Sequence, residues 1–233
     1  MSIDEAKKYF AGDAERQCWP TTYAKDNGAN INKDLNAVWW LRSPGFRENY
    51  AANIDGSGSI NRSGNVVSSA KGTVRPAFWL YPGTETQVID STDKAETTAA
   101  PKPVGAVTST KAQLEVGDII VFGQYEQDGN TANGAEAIEW QVLAVEEGRA
   151  LVISRYGLEA MPYNDSNTSV TWETSTLRKW LNGTFYAKAF SSAEKGQILS
   201  GRVTNPDNPS YGTKGGNDMT DRIFLLSLDE AKK

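Results

Sequence analysis

Ser2-Ile3-Asp4-Glu5-Ala6-Lys7-Lys8 opens the chain, and Ser227-Leu228-Asp229-Glu230-Ala231-Lys232-Lys233 closes it. Six of the seven positions match; the seventh exchanges Ile for Leu. Self-similarity at a fixed offset is the mark of repeated units, and here the offset is 225 residues. The chain therefore reads as a window on a tandem array, cut at the same point of two successive units. Working inward, residues 83–111 are rich in Thr, Ala and Pro and carry no aromatic side chain. That composition predicts an extended linker. Residues 1–82 then form the C-terminal half of one module and residues 112–233 the N-terminal half of the next, the two together making one compact domain.

Composition narrows the function. The 233 residues are 39% hydrophobic and 23% charged, enough for a sizeable core. A net charge of -5 argues against a phosphate-binding surface, so no nucleic-acid partner is expected. No run approaches a membrane span, so no membrane insertion is expected. The start, Met1 to Glu5, is polar and carries no signal peptide. There is no histidine, which removes Ser-His-Asp and Cys-His chemistry and histidine metal sites. The single cysteine, Cys18, excludes an intrachain disulfide and a thiolate zinc site, and its apolar setting predicts a packing role. No cofactor and no metal are expected.

Periodicity predicts an α+β chain. Gly117–Gly123, Ile138–Val145 and Ala150–Ser154 read as strands, with Glu146–Arg149 as a turn. Thr171–Asn182 reads as a helix that Asn182-Gly183 ends. Ser191–Glu194 reads as a capping box before a short helix carrying Ile198 and Leu199. Ile223–Leu226 reads as a strand leading into a second capping box at Ser227–Glu230. In the other half the strands are Val38–Ser43, Tyr50–Asp55, Ser59-Ile60, Asn65–Val67 and Thr73–Leu80. The natural ends of the fold, near Leu80 and Leu114, are expected on neighbouring strands. The module has one place for the duplicated helix start. Tyr9 and Phe10 favour the N-terminal copy, leaving Asp229–Lys233 to fray.

Several of these stretches resemble a family of bacterial domains of unknown function, found mainly in Gram-positive gut anaerobes, with a C-type-lectin-like fold. The carrying residues are Gly117–Gly123, Trp140–Leu143, Trp172–Ser175, Leu177–Asn182 and Phe224–Ser227, with Trp39-Trp40-Leu41-Arg42-Ser43-Pro44-Gly45 and Val74-Arg75-Pro76-Ala77. The order of the halves is reversed here, a circular permutation. The resemblance implies twisted antiparallel sheets with two main helices, and an extracellular or cell-surface setting. The fold also resembles the formylglycine-generating oxidases, but one cysteine and no histidine leave that activity without its chemistry.

Trp39, Trp79, Trp140 and Trp180 sit among Leu, Val and Ile and read as core. Arg42 and Arg75 read as structural cations paired with carboxylates such as Asp118 or Glu173. The informative stretch is 46–71, where short polar side chains alternate with small apolar ones. Candidate ligand-binding residues are Arg47, Glu48, Asn49, Tyr50, Asn53, Asp55, Ser57, Ser59, Asn61, Arg62, Asn65, Ser68 and Lys71. In the resembling fold this late segment faces ligand, and in related folds it is hypervariable. Asn53, Asp55, Ser57 and Ser59 imitate a calcium loop, but Gly64 stands where the closing Glu belongs. The expected function is a non-catalytic module of a tandem-repeat surface protein that binds a glycan or protein ligand, as a monomer or domain-swapped dimer. A structural spacer is the alternative. A carboxylate-dependent glycosidase ranks lower, because no acidic pair stands in a recognisable motif.

Overall fold

The computed structural model describes residues 9–83, 86–89 and 109–232. Its strands begin with β1 (Trp39–Pro44), β2 (Tyr50–Ile54), β3 (Ile60–Val66), β4 (Thr73–Val74), β5 (Ala77–Leu80), β6 (Thr86–Ile89) and β7 (Ser109–Lys111). They continue with β8 (Ile119–Tyr125), β9 (Glu136–Glu146), β10 (Arg149–Ser154), β11 (Glu159–Ala160), β12 (Ile198–Leu199), β13 (Gly201–Val203) and β14 (Met219–Asp221). The helices are short: α1 (Asp13–Arg16), α2 (Thr22–Asp26), α3 (Thr176–Trp180), α4 (Tyr186–Ala189), α5 (Ser192–Lys195) and α6 (Leu228–Ala231). The fold is α+β and mostly antiparallel. One sheet runs β11-β4-β1-β2-β3, a second runs β12-β5-β10-β9-β8-β6-β7, and β13 pairs with β14.

Local chemistry explains the joints. Glu147 and Gly148 both take positive φ, 49° and 77°, in the two-residue turn between β9 and β10. Such a turn matches the twist of the strands it connects. The Thr73–Leu80 run is one apolar stretch in sequence but two strands in space. β4 belongs to the first sheet and β5 to the second, with Arg75-Pro76 at the crossing. Pro76 has no N–H to give a ladder, so it fits where the chain leaves one sheet for another.

Both segments supply one core. Trp39, Trp40, Phe78, Trp140, Trp172, Phe185 and Leu225 are all fully buried in the same cluster. Each buried indole finds an acceptor: Trp39 Nε1 donates to Arg16 O at 3.0 Å, Trp40 to Met161 O at 3.0 Å, Trp140 to Phe122 O at 2.6 Å and Trp172 to Asp221 Oδ2 at 2.8 Å. Trp79 and Trp180 are only half-buried. Trp79 points away from its inward neighbours on β5 and is covered by the Arg149 guanidinium at 4.4 Å. Cys18 is buried, and burial pushes its thiol up.

Several sequence expectations change. Asn182-Gly183 does not end the helix: a π-turn over Leu181–Phe185 carries α3 into α4. Asn182 instead faces another segment, donating to Ile223 O at 2.8 Å and accepting from Arg222 N at 2.9 Å, while Leu181 and Phe185 pack inward. Ile198 and Leu199 pair with Leu80 and Trp79 as β12, because α5 stops at Gly196. Residues 223–226 are buried but form only a single bridge, Phe224 to Ala77. The linker is shorter at both ends, since Thr86–Ile89 and Ser109–Lys111 pair with each other in the second sheet. Leu80 therefore neighbours β10 and β12, and Leu114 lies outside the strands.

The arginines also find other partners. Arg42 pairs with Glu230 and donates to Leu225 O at 2.6 Å and Thr204 O at 3.0 Å. Arg75 donates to Ser154 O at 2.7 Å and lies over the Trp39 and Phe10 rings at 5.2 and 5.8 Å, with no carboxylate paired to it among the described residues. Asp118 pairs with Lys111 at 2.8 Å, and Glu173 accepts from Asn217 at 2.9 Å.

The C-terminal copy of the duplicated motif holds the helix site. Leu228 and Ala231 are buried, and Ser227 and Glu230 form the reciprocal capping box. Phe10 is buried as well, while Ala6–Lys8 lie outside the described residues. Fraying at Asp229–Lys233 is thus overturned for residues 229–231. Segment 223–226 runs directly into α6, and the Arg42–Glu230 pair adds an anchor that the cap alone lacks.

Truncating Trp39 or Trp172 to Ala is expected to cost about 3–5 kcal/mol in thermal or denaturant unfolding, and Trp180→Ala visibly less. Equal losses at all three would contradict this burial order. A second outcome concerns acid. Burial alone would raise the Glu230 carboxyl, but the adjacent Arg42 guanidinium and the Ser227 donors outweigh it and hold Glu230 below the usual carboxylate range. A lowered carboxyl stabilises above its ordinary pKa and loses that contribution as pH falls through the folded value. The melting-temperature gap between wild type and Glu230→Gln should close on acidification below about pH 4. A gap that stays constant from neutral pH to pH 2 would refute the ion pair as its source.

Candidate functional site

The β1–β2 turn is fixed by backbone bonds from Gly45 N to Tyr50 O at 2.7 Å, Tyr50 N to Arg47 O at 3.0 Å and Phe46 N to Ser63 O at 3.0 Å. Gly64 in β3 has φ +72°, and a Cβ there would collide with the Ala51 carbonyl of β2. Only glycine allows that approach. Two remote loops close on the turn. Val170 N donates to Glu48 O at 3.0 Å, and Asn49 Nδ2 donates to Asn167 Oδ1 at 2.9 Å. From the other side Asn208, 1% exposed, places its amide against Pro44 O (2.8 Å), Gly45 O (3.2 Å) and Arg62 O (2.8 Å).

Between these segments lies an open cleft of about 430 Å³ lined by Phe46, Arg47, Glu48, Asn49, Ser169, Tyr211, Gly212, Thr213 and Lys214. Its apolar wall is a run of rings: Tyr50 packs edge-on against Phe46 at 4.5 Å, and Phe46 meets Tyr211 at 6.2 Å. Tyr211 keeps 52% of its surface exposed. The Arg47 guanidinium caps Phe46 at 4.8 Å. Lys214 pairs with Asp207 at 2.7 Å, which raises the lysine and lowers the carboxyl. The wall thus combines an exposed ring with amide, hydroxyl and charged groups at its rim.

Strand geometry divides the thirteen candidate residues. Arg47, Glu48 and Asn49 line the cleft, and the Tyr50 ring backs it. Asp55, Ser57 and Ser59 sit at the opposite end of the β2–β3 hairpin, beyond the Ile54–Ile60 pair. That is about 15 Å from the cleft at the usual rise per residue. There Asp55 Oδ1 accepts from Ser57 N at 2.8 Å and Ser59 N at 3.1 Å, and Ser59 Oγ donates to Asp13 at 3.0 Å. Asn53 is buried, its Oδ1 accepting from Asn61 at 3.3 Å, so it faces inward. Asn61 Oδ1 in turn accepts from Ser63 Oγ and Gly64 N, at 2.7 and 3.1 Å. Asn65 and Ser68 are half-buried; Arg62 and Lys71 are exposed. Residues 46–71 therefore do not present a single face.

The loop Thr204–Thr220 supplies what the sequence reading missed. Tyr211 is its only aromatic residue, amid Pro, Gly and Asn, and that isolation was the available signal. A second cluster, Glu126, Asp128 and Glu136, brings carboxylate oxygens within 4.8 Å of one another. Its contacts are those of a turn: Glu136 accepts from Gln127 N (2.7 Å), Asp128 from Asn130 N (2.7 Å) and Glu126 from Gly129 N (2.8 Å). Tyr125 donates to Glu159 at 2.9 Å, and burial raises that carboxyl. Among the described residues no helix is long and apolar enough to cross a membrane.

Residues 2–82 and 147–233 match the family described as Domain of unknown function (DUF6273). Comparison with curated proteins and with solved structures yields no match.

Asn208→Ala should remove one amide from three backbone carbonyls, two of them buried, and cost about 1–3 kcal/mol. Tyr211→Ala should stay within about 0.5 kcal/mol, as exposed positions do. Urea unfolding of the two variants checks this. A larger loss at Tyr211 than at Asn208 would mean the loop is held by its aromatic contact.

Proposed function

Because the chain belongs to the DUF6273 family, a domain of unknown function, we propose its role from the cleft: a non-catalytic ligand-binding module that recognises a saccharide. The observation that carries this reading is the exposed Tyr211 ring beside Phe46, in a concave site rimmed by Asn49, Ser169 and Thr213. A pyranose presents an apolar face to an aromatic ring and hydroxyls at its edges to short polar side chains. The residues also fit adaptable recognition, with rigid aromatics as anchors and small polar groups around them. The antiparallel α+β architecture supports the C-type-lectin-like assignment, and β6 beside β7 supports a permuted module whose natural break lies between residues 89 and 109. The duplicated heptad supports a tandem array, for which an extracellular or cell-surface setting is the reading.

A glycan array probed with the full chain, with a protein array in parallel, tests the proposal. Binding to a saccharide class that Tyr211→Ala and Arg47→Ala each weaken at least about tenfold, or ~1.4 kcal/mol, is the expected result. Saccharide binding unmoved by either variant would displace the site. No binding on the glycan array, with or without a protein hit, would overturn the saccharide reading.

A further inference from the structure

A single peptide connection, residues 90–108, joins two pieces that cannot close their cores separately. Residues 9–89 contribute β1–β6, and residues 109–232 contribute β7–β14. The pieces meet through antiparallel ladders. Ala77–Leu80 pairs residue by residue with Ala150–Ile153, Leu80 and Trp79 pair with Ile198 and Leu199, and Thr73-Val74 pairs with Glu159-Ala160. β6 lies between β7 and β8. Specific polar contacts cross the same boundary: Trp40 to Met161 O, Arg75 to Ser154 O, Asn208 to Pro44 O, and Arg42 to Glu230. Without its complement, each piece would leave buried Trp side chains in water, Trp39 and Trp40 on one, Trp140 and Trp172 on the other.

The covalent path favours the complement on the same chain only through concentration. Val88 stands opposite Ser109, so the connection leaves and re-enters the sheet on adjacent strands, a gap of about 5 Å. Nineteen residues can span up to ~65 Å when extended. At the other junction the segment 10–16 and α6 converge. Arg16 Nη1 donates to Ala231 O at 3.3 Å, and Phe10 packs in the cluster that holds Leu228 and Ala231. Every contact made within one molecule is available, unchanged, between two.

We propose that the face joining residues 9–89 to residues 109–232 is also an interaction surface between copies, and that its partner is a second copy of this chain exchanging the same segment. A short connection supplies an effective concentration on the order of millimolar, so pairing stays internal in dilute solution and passes between molecules at comparable protein concentration.

Two full-length versions carrying different affinity tags, unfolded together and refolded at about 1 mM and about 1 μM, test this. The expected result is a dimer bearing both tags at the high concentration and monomer at the low one. Monomer alone at both, or aggregate without a defined dimer, would overturn it. Cutting the full chain at a protease site placed within 90–108 gives a second measurement. The pieces should co-elute with an unchanged circular dichroism spectrum and exchange with tagged pieces after refolding. Pieces that part in native buffer, or that fail to exchange, would also overturn it.

Discussion

Strand β5 is four residues long, yet both segments of the chain depend on it. It hydrogen-bonds to β10 along one edge and β12 along the other, and its Phe78 ring meets Phe122, Trp140 and Phe190 at 4.7 to 5.7 Å. A strand held on both edges and buried on one face has a fixed register, because a one-residue slip would turn Phe78 outward and Trp79 inward. The preceding β4 lies in the other sheet, so the register of β5 also sets where the two sheets meet. The Arg75-Pro76 crossing is the consequence: a proline where no ladder donor is wanted, and a guanidinium enclosed by two rings and a carbonyl.

Two buried arginines meet their desolvation in different ways. Arg42 uses a carboxylate and two backbone carbonyls, nearly exhausting its donors. Arg75 relies on one carbonyl and on ring faces, and its Nη1 has no partner among the described residues. Losing one member of a buried pair is costly because the other charge remains enclosed. The Arg42–Glu230 contact therefore ties the Trp-Trp-Leu-Arg segment to the C-terminal heptad, where residues 223–226 lead directly into α6.

The cleft follows from the same assembly. Its floor is the β1–β2 turn, but its walls come from residues more than a hundred positions away, held by Asn208 and the Val170–Glu48 bond. In the proposed reading, such a cleft separates scaffold from recognition. The sheet fixes the turn, and the loops around it carry the exposed groups, as binding surfaces on rigid frames commonly do.

The sequence by itself determined the strands of 117–154, the Ser191 cap, the buried fate of Cys18 and Trp39, and the exclusion of histidine and disulfide chemistry. These depend on local periodicity, short hydrogen bonds or composition. Three of the cleft residues, Arg47, Glu48 and Asn49, were also readable as polar groups at a turn. Tertiary structure alone decided that Asn53 faces inward, that Asp55 and Ser57 lie at the far end of the hairpin, and that Tyr211 and Lys214 line the cleft beside Phe46. It also decided the partners of Arg42 and Arg75 and the continuation of the helix past Gly183. Each of these is a contact between segments remote in sequence, and no local pattern encodes which distant carbonyl, ring or carboxylate will arrive.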